Sequence, residues 1–237
     1  MRERASKAPA VGEAEQETRW RGIYQIAAVT AFIGIALVPV QLVVFIVWPP
    51  PGSVIGFFQV FQRSALIGLL NLDLLYIVNN MLLVPLYLAM YYALRRGSES
   101  LATLALALGL VGAAAYFGTN PAFEMMDLSA QYAAATTEAG RATFIAAGEA
   151  LLAHYTGTAF NVYYILNAIA LLLFAGVMFR GETFTRLTAW AGILAGIFML
   201  VPSCAGALGL IFSLASLIPW AAFTILVALR LLRLGRK

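Results

Sequence analysis

One cysteine, one histidine and charged side chains at only 11% of a 237-residue chain exclude several kinds of protein at the outset. Cys204 has no second thiol for an intrachain disulfide or a cysteine-based metal site, so its place in an apolar run reads as packing. His154 alone cannot build a bis-histidine haem site. HExxH patterns, glycine-rich phosphate loops and nucleophile elbows are missing too, so no motif names a metal, a cofactor or a reaction. Absence of catalytic signatures weighs against an enzyme without excluding one. What the chain has instead is apolar residues at 62%, against a soluble norm of about 25% charged. That balance requires an integral membrane protein. Its 15 Lys and Arg residues are spread over chain ends and short loops with no dense basic patch, which argues against a nucleic-acid partner.

Residues 1–22 mix both charge signs with Ala, Gly and Pro and are expected to form a flexible cytoplasmic tail, ahead of a single bundle over 23–237. The apolar stretch 23–48 is too long for a signal peptide and ends at Trp48 and three prolines, as an uncleaved first span would. Further spans are expected over about 71–94, 101–118, 157–179, 187–204 and 208–229, the fifth carrying Gly192 and Gly196 in a GxxxG pattern and the last a kink at Pro219. Residues 52–70 read as an interfacial helix. The polar insertion 120–155 reads as two amphipathic helices, opened by Asn120 with Pro121 and by Thr136 or Thr137, that form an extracytoplasmic lid. The fold class is therefore all-α, a polytopic six-transmembrane-helix bundle with an external amphipathic segment. Charge supports the count: all cationic residues except Arg63 and Arg141 fall on the side of the two termini, the bias expected when those segments are cytoplasmic.

The second span is the odd one, because Asp73, Asn79 and Asn80 interrupt a run long enough to cross a bilayer. Polar groups left unpaired in hydrocarbon cost several kcal/mol each, about 2–7 on transfer scales, so these side chains must face protein. The sequence Tyr76-Ile77-Val78-Asn79 also matches Tyr164-Ile165-Leu166-Asn167 of the fourth span, and each follows an amphipathic stretch and precedes an Arg-Gly loop. If the hairpin is duplicated, Asn79 and Asn167 lie at equivalent depth and can bond across the bundle. Asp73, Tyr76, Asn79, Asn80, Tyr164 and Asn167 are accordingly the candidate polar pocket, with interhelical packing as the competing role. On the lid, Glu124, Asp127, Arg141, Glu149 and His154 are the candidates for acid–base work, though a solvated polar face explains them as well.

Three stretches carry a resemblance. The run DLSAQYAAATTEAGRATFIAAGEALLA at 127–153, YYALRRGSESLATLALALGLVGAAAYF at 91–117 and FTRLTAWAGILAGIFML at 184–200 resemble the domain-of-unknown-function 4386 family of bacterial integral membrane proteins. The family implies a multi-span protein of this size and brings no activity or site residues with it. Three functions remain: a non-catalytic membrane component that binds lipid, copies of itself or other membrane subunits; a small-molecule carrier or channel working through spans two and four; and a membrane enzyme acting on lipid.

Overall fold

The computed structural model describes residues 11–201 and 206–236, and every regular element among them is helical. The chain runs α1 (Val11–Val47), α2 (Val54–Arg63), α3 (Ala65–Asn71), α4 (Leu74–Leu94), α5 (Glu99–Phe117), α6 (Ala122–Ala134), α7 (Glu138–His154), a π-turn (Tyr155–Ala159), α8 (Phe160–Met178), α9 (Arg186–Met199) and α10 (Gly206–Gly235). Five helical segments, carried by α1, α4, α5, α8 and α10, are long and apolar enough to cross a membrane.

Two packed layers of contacts organise these helices. In the bundle α1 lies along α4 and α10, α5 lies along α8, and α9 fits between α8 and α10. Small residues allow the close approaches. A methyl built on Gly192 of α9 would meet the Phe223 ring at 2.9 Å, and one on Gly196 would meet Leu172 at 2.7 Å. At one end of the bundle α2, α3, α6 and α7 bury a second, smaller core around Val54, Phe57, Phe58, Phe61 and Met125. The Ser129 hydroxyl of α6 donates to the Phe58 carbonyl of α2 across 2.9 Å, which ties the two halves of this cap together.

Local chemistry sets the cap's element ends. Thr137 caps α7, its Oγ1 accepting from the Gly140 N–H at 3.1 Å, while Pro121 stands as the N-cap of α6, one residue beyond the expected Asn120, whose Oδ1 accepts from the Ala122 N–H at 3.0 Å. The interfacial helix expected over 52–70 is two helices, because Ser64 turns extended and its hydroxyl accepts from the Ile67 N–H to start α3.

Three expectations need correction or limits. Residues 11–22, read as tail without a fold, are the first turns of α1: their Ala, Glu and Gln are strong helix formers and propagate a helix already nucleated by the span. The first ten residues lie outside the described ones. The helix expected over 187–204 is α9, with 14 residues, about 21 Å at ~1.5 Å per residue and short of the ~30 Å hydrocarbon core. Its expected end, with Cys204, also lies outside the described residues. Helix α10 is longer than the span expected over 208–229 and continues through Pro219 to Gly235.

The Gly235 carbonyl accepts a hydrogen bond from Gln25 Nε2 near the start of α1, at 3.1 Å. Trp20 stacks on Tyr92 at the end of α4, with ring centroids 4.3 Å apart, and the Arg95 guanidinium lies 4.1 Å from the same ring. The beginning of α1 and the ends of α4 and α10 thus meet in one place, away from the cap.

Candidate binding site

The cap meets the bundle at Asp73, between α3 and α4. Asp73 holds φ 64° and ψ 32°, the left-handed region, and is the one non-glycine residue with positive φ among those described. Asp and Asn occupy that region more readily than other side chains, which explains how the chain turns here without glycine. The Tyr155 hydroxyl donates to Asp73 Oδ2 from the π-turn that joins α7 to α8, where Gly157 departs from helical geometry (φ −86°, ψ −127°). Two breaks in helical backbone are therefore joined by one hydrogen bond. Irregular backbone at this depth is tolerated where protein or a cavity surrounds it, and π-turns recur at functional sites.

A cage of aromatic rings surrounds the joint. Tyr116 is fully buried, its ring centroid 5.0 Å from Tyr163 and 5.3 Å from Tyr76, and the Tyr163 hydroxyl donates to that of Tyr76 at 3.2 Å. Phe160 stacks on Tyr164 at 5.3 Å. Asn120 closes the cage from the lid side by donating to the Leu72 carbonyl at 2.9 Å. Asp73 is half-buried, accepts from the Tyr155 hydroxyl and lines a pocket with part of its surface.

Deeper in the bundle, Tyr76, Asn79, Tyr164 and Asn167 line one cavity of about 60 Å³ between α1, α4, α8 and α10. The expected bond between the two asparagines is replaced by others. Asn167 Oδ1 accepts from the Tyr87 hydroxyl, and its Nδ2 donates to the Tyr163 carbonyl at 2.9 Å. Asn80 turns back to donate to the Tyr76 carbonyl at 2.9 Å and does not line this cavity. Its Oδ1, like that of Asn79, has no partner; nor has Thr224 Oγ1 at this cavity or Gln41 Oε1 beside it. Beside this cavity, and sharing Val38, Tyr76, Tyr164 and Leu217 with it, lies a second pocket of about 220 Å³ that reaches Asp73, Gln41 and Ser213.

The lid candidates behave differently. Glu124, Asp127, Arg141, Glu149 and His154 are all exposed. Asp127 accepts from Gln131 Nε2 at 2.6 Å and Arg141 Nε donates to the Ala135 carbonyl at 3.3 Å, both local surface bonds. Among the described residues no three His, Cys, Asp or Glu side chains are grouped to hold a metal ion. The arrangement instead offers a part-buried carboxylate, an aromatic wall and unpartnered oxygens, which is chemistry for holding a ligand.

Tyr116, Tyr155 and Tyr163 were not among the candidate pocket residues. Tyrosine near a helix end reads as an interfacial belt residue, the Tyr163-Tyr164 pair included, and only the place of Tyr163 beside the repeated motif offered a signal that could have found it.

An all-helical chain with five membrane-length apolar segments and a polar pocket enclosed between them falls in the class of multi-helix membrane proteins. Within that class the chain belongs to the family described as domain of unknown function DUF4386, whose model matches residues 22–235. No curated protein and no solved structure matches it.

Proposed function

We propose that this protein is a non-catalytic component of a bacterial inner membrane that binds an amphiphilic ligand between α1, α4, α8 and α10. It crosses the membrane six times, with both termini cytoplasmic and the cap of α2, α3, α6 and α7 on the outer face. The observation that carries the binding reading is the pair of adjoining pockets edged by unpartnered oxygens of Gln41, Asn79 and Thr224, each at least nine-tenths buried. Buried polar atoms without partners are costly, about 1–3 kcal/mol each, and an occupant supplying hydrogen bonds removes that cost. The Gln25–Gly235 hydrogen bond supports an even number of crossings, since it brings the start of the first membrane-length segment and the end of α10 to one end of the bundle, and the short apolar α9 is the candidate for the sixth. The cationic side chains Arg21, Arg95 and Arg96 gather at that same end, as the cytoplasmic side requires.

Native mass spectrometry of the full chain extracted into lipid nanodiscs tests the binding. Retention of one small amphiphile per chain, reduced in Asn79→Leu, is the expected result; a chain that retains nothing overturns the reading. Reporter fusions at both ends check the topology, and activity of the two reporters on opposite sides of the membrane refutes six crossings.

A carrier is the second reading, favoured by the interruption of the α7–α8 run at Tyr155–Ala159 directly opposite Asp73. Broken helices beside a midmembrane pocket are how many carriers present backbone to a substrate. Ligand counterflow in proteoliposomes separates a carrier from a static binder.

A further inference from the structure

We propose that the pocket beside Asp73 is a site for a protonated amine, whose ammonium group sits between the Asp73 carboxylate and the Gln41 amide oxygen while its apolar body leaves between α1 and α10. The proposal rests on reading the protein as a ligand-binding component and adds the chemical class of the ligand.

Several features of the pocket point to a cation. Asp73 is the only charged residue that lines it; no Lys, Arg or His does, so the carboxylate has no cationic partner there. The second polar group, Gln41, is nine-tenths buried, and its orientation is fixed because Nε2 donates to the Leu70 carbonyl at 3.2 Å. Its Oε1 is thereby left as an acceptor without a donor. A carboxylate and an unpartnered carbonyl oxygen both require donors, and an ammonium group supplies three with a compensating charge. The rings of Tyr76, Phe160 and Tyr164 line the same space, and aromatic faces attract ammonium by about 0.5–2 kcal/mol.

Shape and setting limit the class further. The pocket, about 220 Å³, exceeds the ~150 Å³ cavity that takes up benzene. Leu42 and Leu214, which are exposed on the bundle surface, flank it, so it opens sideways where acyl chains would lie. An aminolipid headgroup and a free alkylamine share this chemistry.

Binding to the full chain in detergent at pH 7.5, followed by calorimetry, tests the inference with n-hexylammonium against hexan-1-ol, which has the same chain and no charge. The expected result is at least tenfold tighter binding of the amine, lost at least tenfold in Asp73→Asn and weakened in Tyr164→Leu. Asn keeps the left-handed turn, so Asp73→Asn folds; Tyr164→Leu gives an independent reading should it not. Lysophosphatidylethanolamine binding more tightly than ethanolamine, with lysophosphatidylglycerol inert, identifies a lipid headgroup; ethanolamine binding as well as the lysolipid identifies a free amine. Equal binding of amine and alcohol, no binding of any amine, or unchanged affinity in Asp73→Asn overturns the inference. Retention in nanodiscs of a ligand without an amine also overturns it, while leaving the binding reading intact.

Discussion

The two halves α1–α4 and α5–α8 have the same plan, a long helix, two short cap helices and a second long helix carrying Tyr-Ile-X-Asn, yet they treat the final asparagine oppositely. Each asparagine faces a glycine on the first helix of its own half. A methyl on Gly34 would come within 2.5 Å of Asn79 Oδ1, and one on Gly112 would strike Asn167 Nδ2. In the second half the asparagine is fully engaged, by the Tyr87 hydroxyl and the Tyr163 carbonyl. In the first half Asn79 Oδ1 has no partner, although both asparagines line the cavity. One signature thus carries a fully bonded amide in one half and an unbonded oxygen in the other. The glycine is the shared requirement and the hydrogen bond is the variable one.

The glycines give the largest test of that contrast. In Gly112→Ala the new methyl meets an amide pinned by two hydrogen bonds, with Leu166 Cβ 3.2 Å away, so neither neighbour yields cheaply. Overpacking of this kind costs about 2–3 kcal/mol. Gly34→Ala meets an oxygen that holds no bond and can turn, and should cost less than about 1 kcal/mol by the same reasoning. Unfolding in mixed detergent micelles measures both. Equal losses would mean that Asn79 is held as firmly as Asn167.

The asparagines come next. Asn167→Leu leaves the Tyr87 hydroxyl without its acceptor inside the bundle, and interhelical bonds in membranes are worth about 0.6–2 kcal/mol. We expect a loss of about 1–2 kcal/mol. Asn79→Leu removes an unpartnered oxygen at similar volume and should leave stability within about 0.5 kcal/mol while it reduces ligand retention. Tyr87→Phe provides the cross-check, since it should reproduce the Asn167→Leu loss and add nothing to it.

These contrasts also mark what could be read from the residues alone. The cap helices were legible because Asn120, Pro121 and Thr137 act within three residues of themselves. Asp73, Asn79 and Asn167 stood out as polar interruptions in apolar runs, which must face protein either as a pocket or as helix packing. Their partners were not legible. Tyr155 is 82 residues from Asp73 and Tyr87 is 80 from Asn167, and such pairings depend on helix rotation, which an apolar run does not encode. The split at Ser64 was legible in principle, since serine favours a helix cap over a helix interior and its hydroxyl accepts from Ile67, but the apolar residues on both sides of it read as one helix.

The smallest effect lies one step before each signature, where the halves differ in charge. Three residues ahead of Tyr76 stands Asp73; three ahead of Tyr164 stands Asn161, whose Nδ2 donates to the Gly157 carbonyl at 2.8 Å. Asp73→Asn makes the halves alike at this position and keeps the left-handed turn. The amide oxygen still accepts from the Tyr155 hydroxyl, through a weaker bond than a carboxylate's, while a charge is no longer held inside protein, and the two changes offset. Stability in mixed micelles should therefore stay within about 0.5 kcal/mol of the parent chain. A loss as large as that of Asn167→Leu would mean that the Tyr155 bond to the carboxylate is what holds the turn between α3 and α4 to the π-turn.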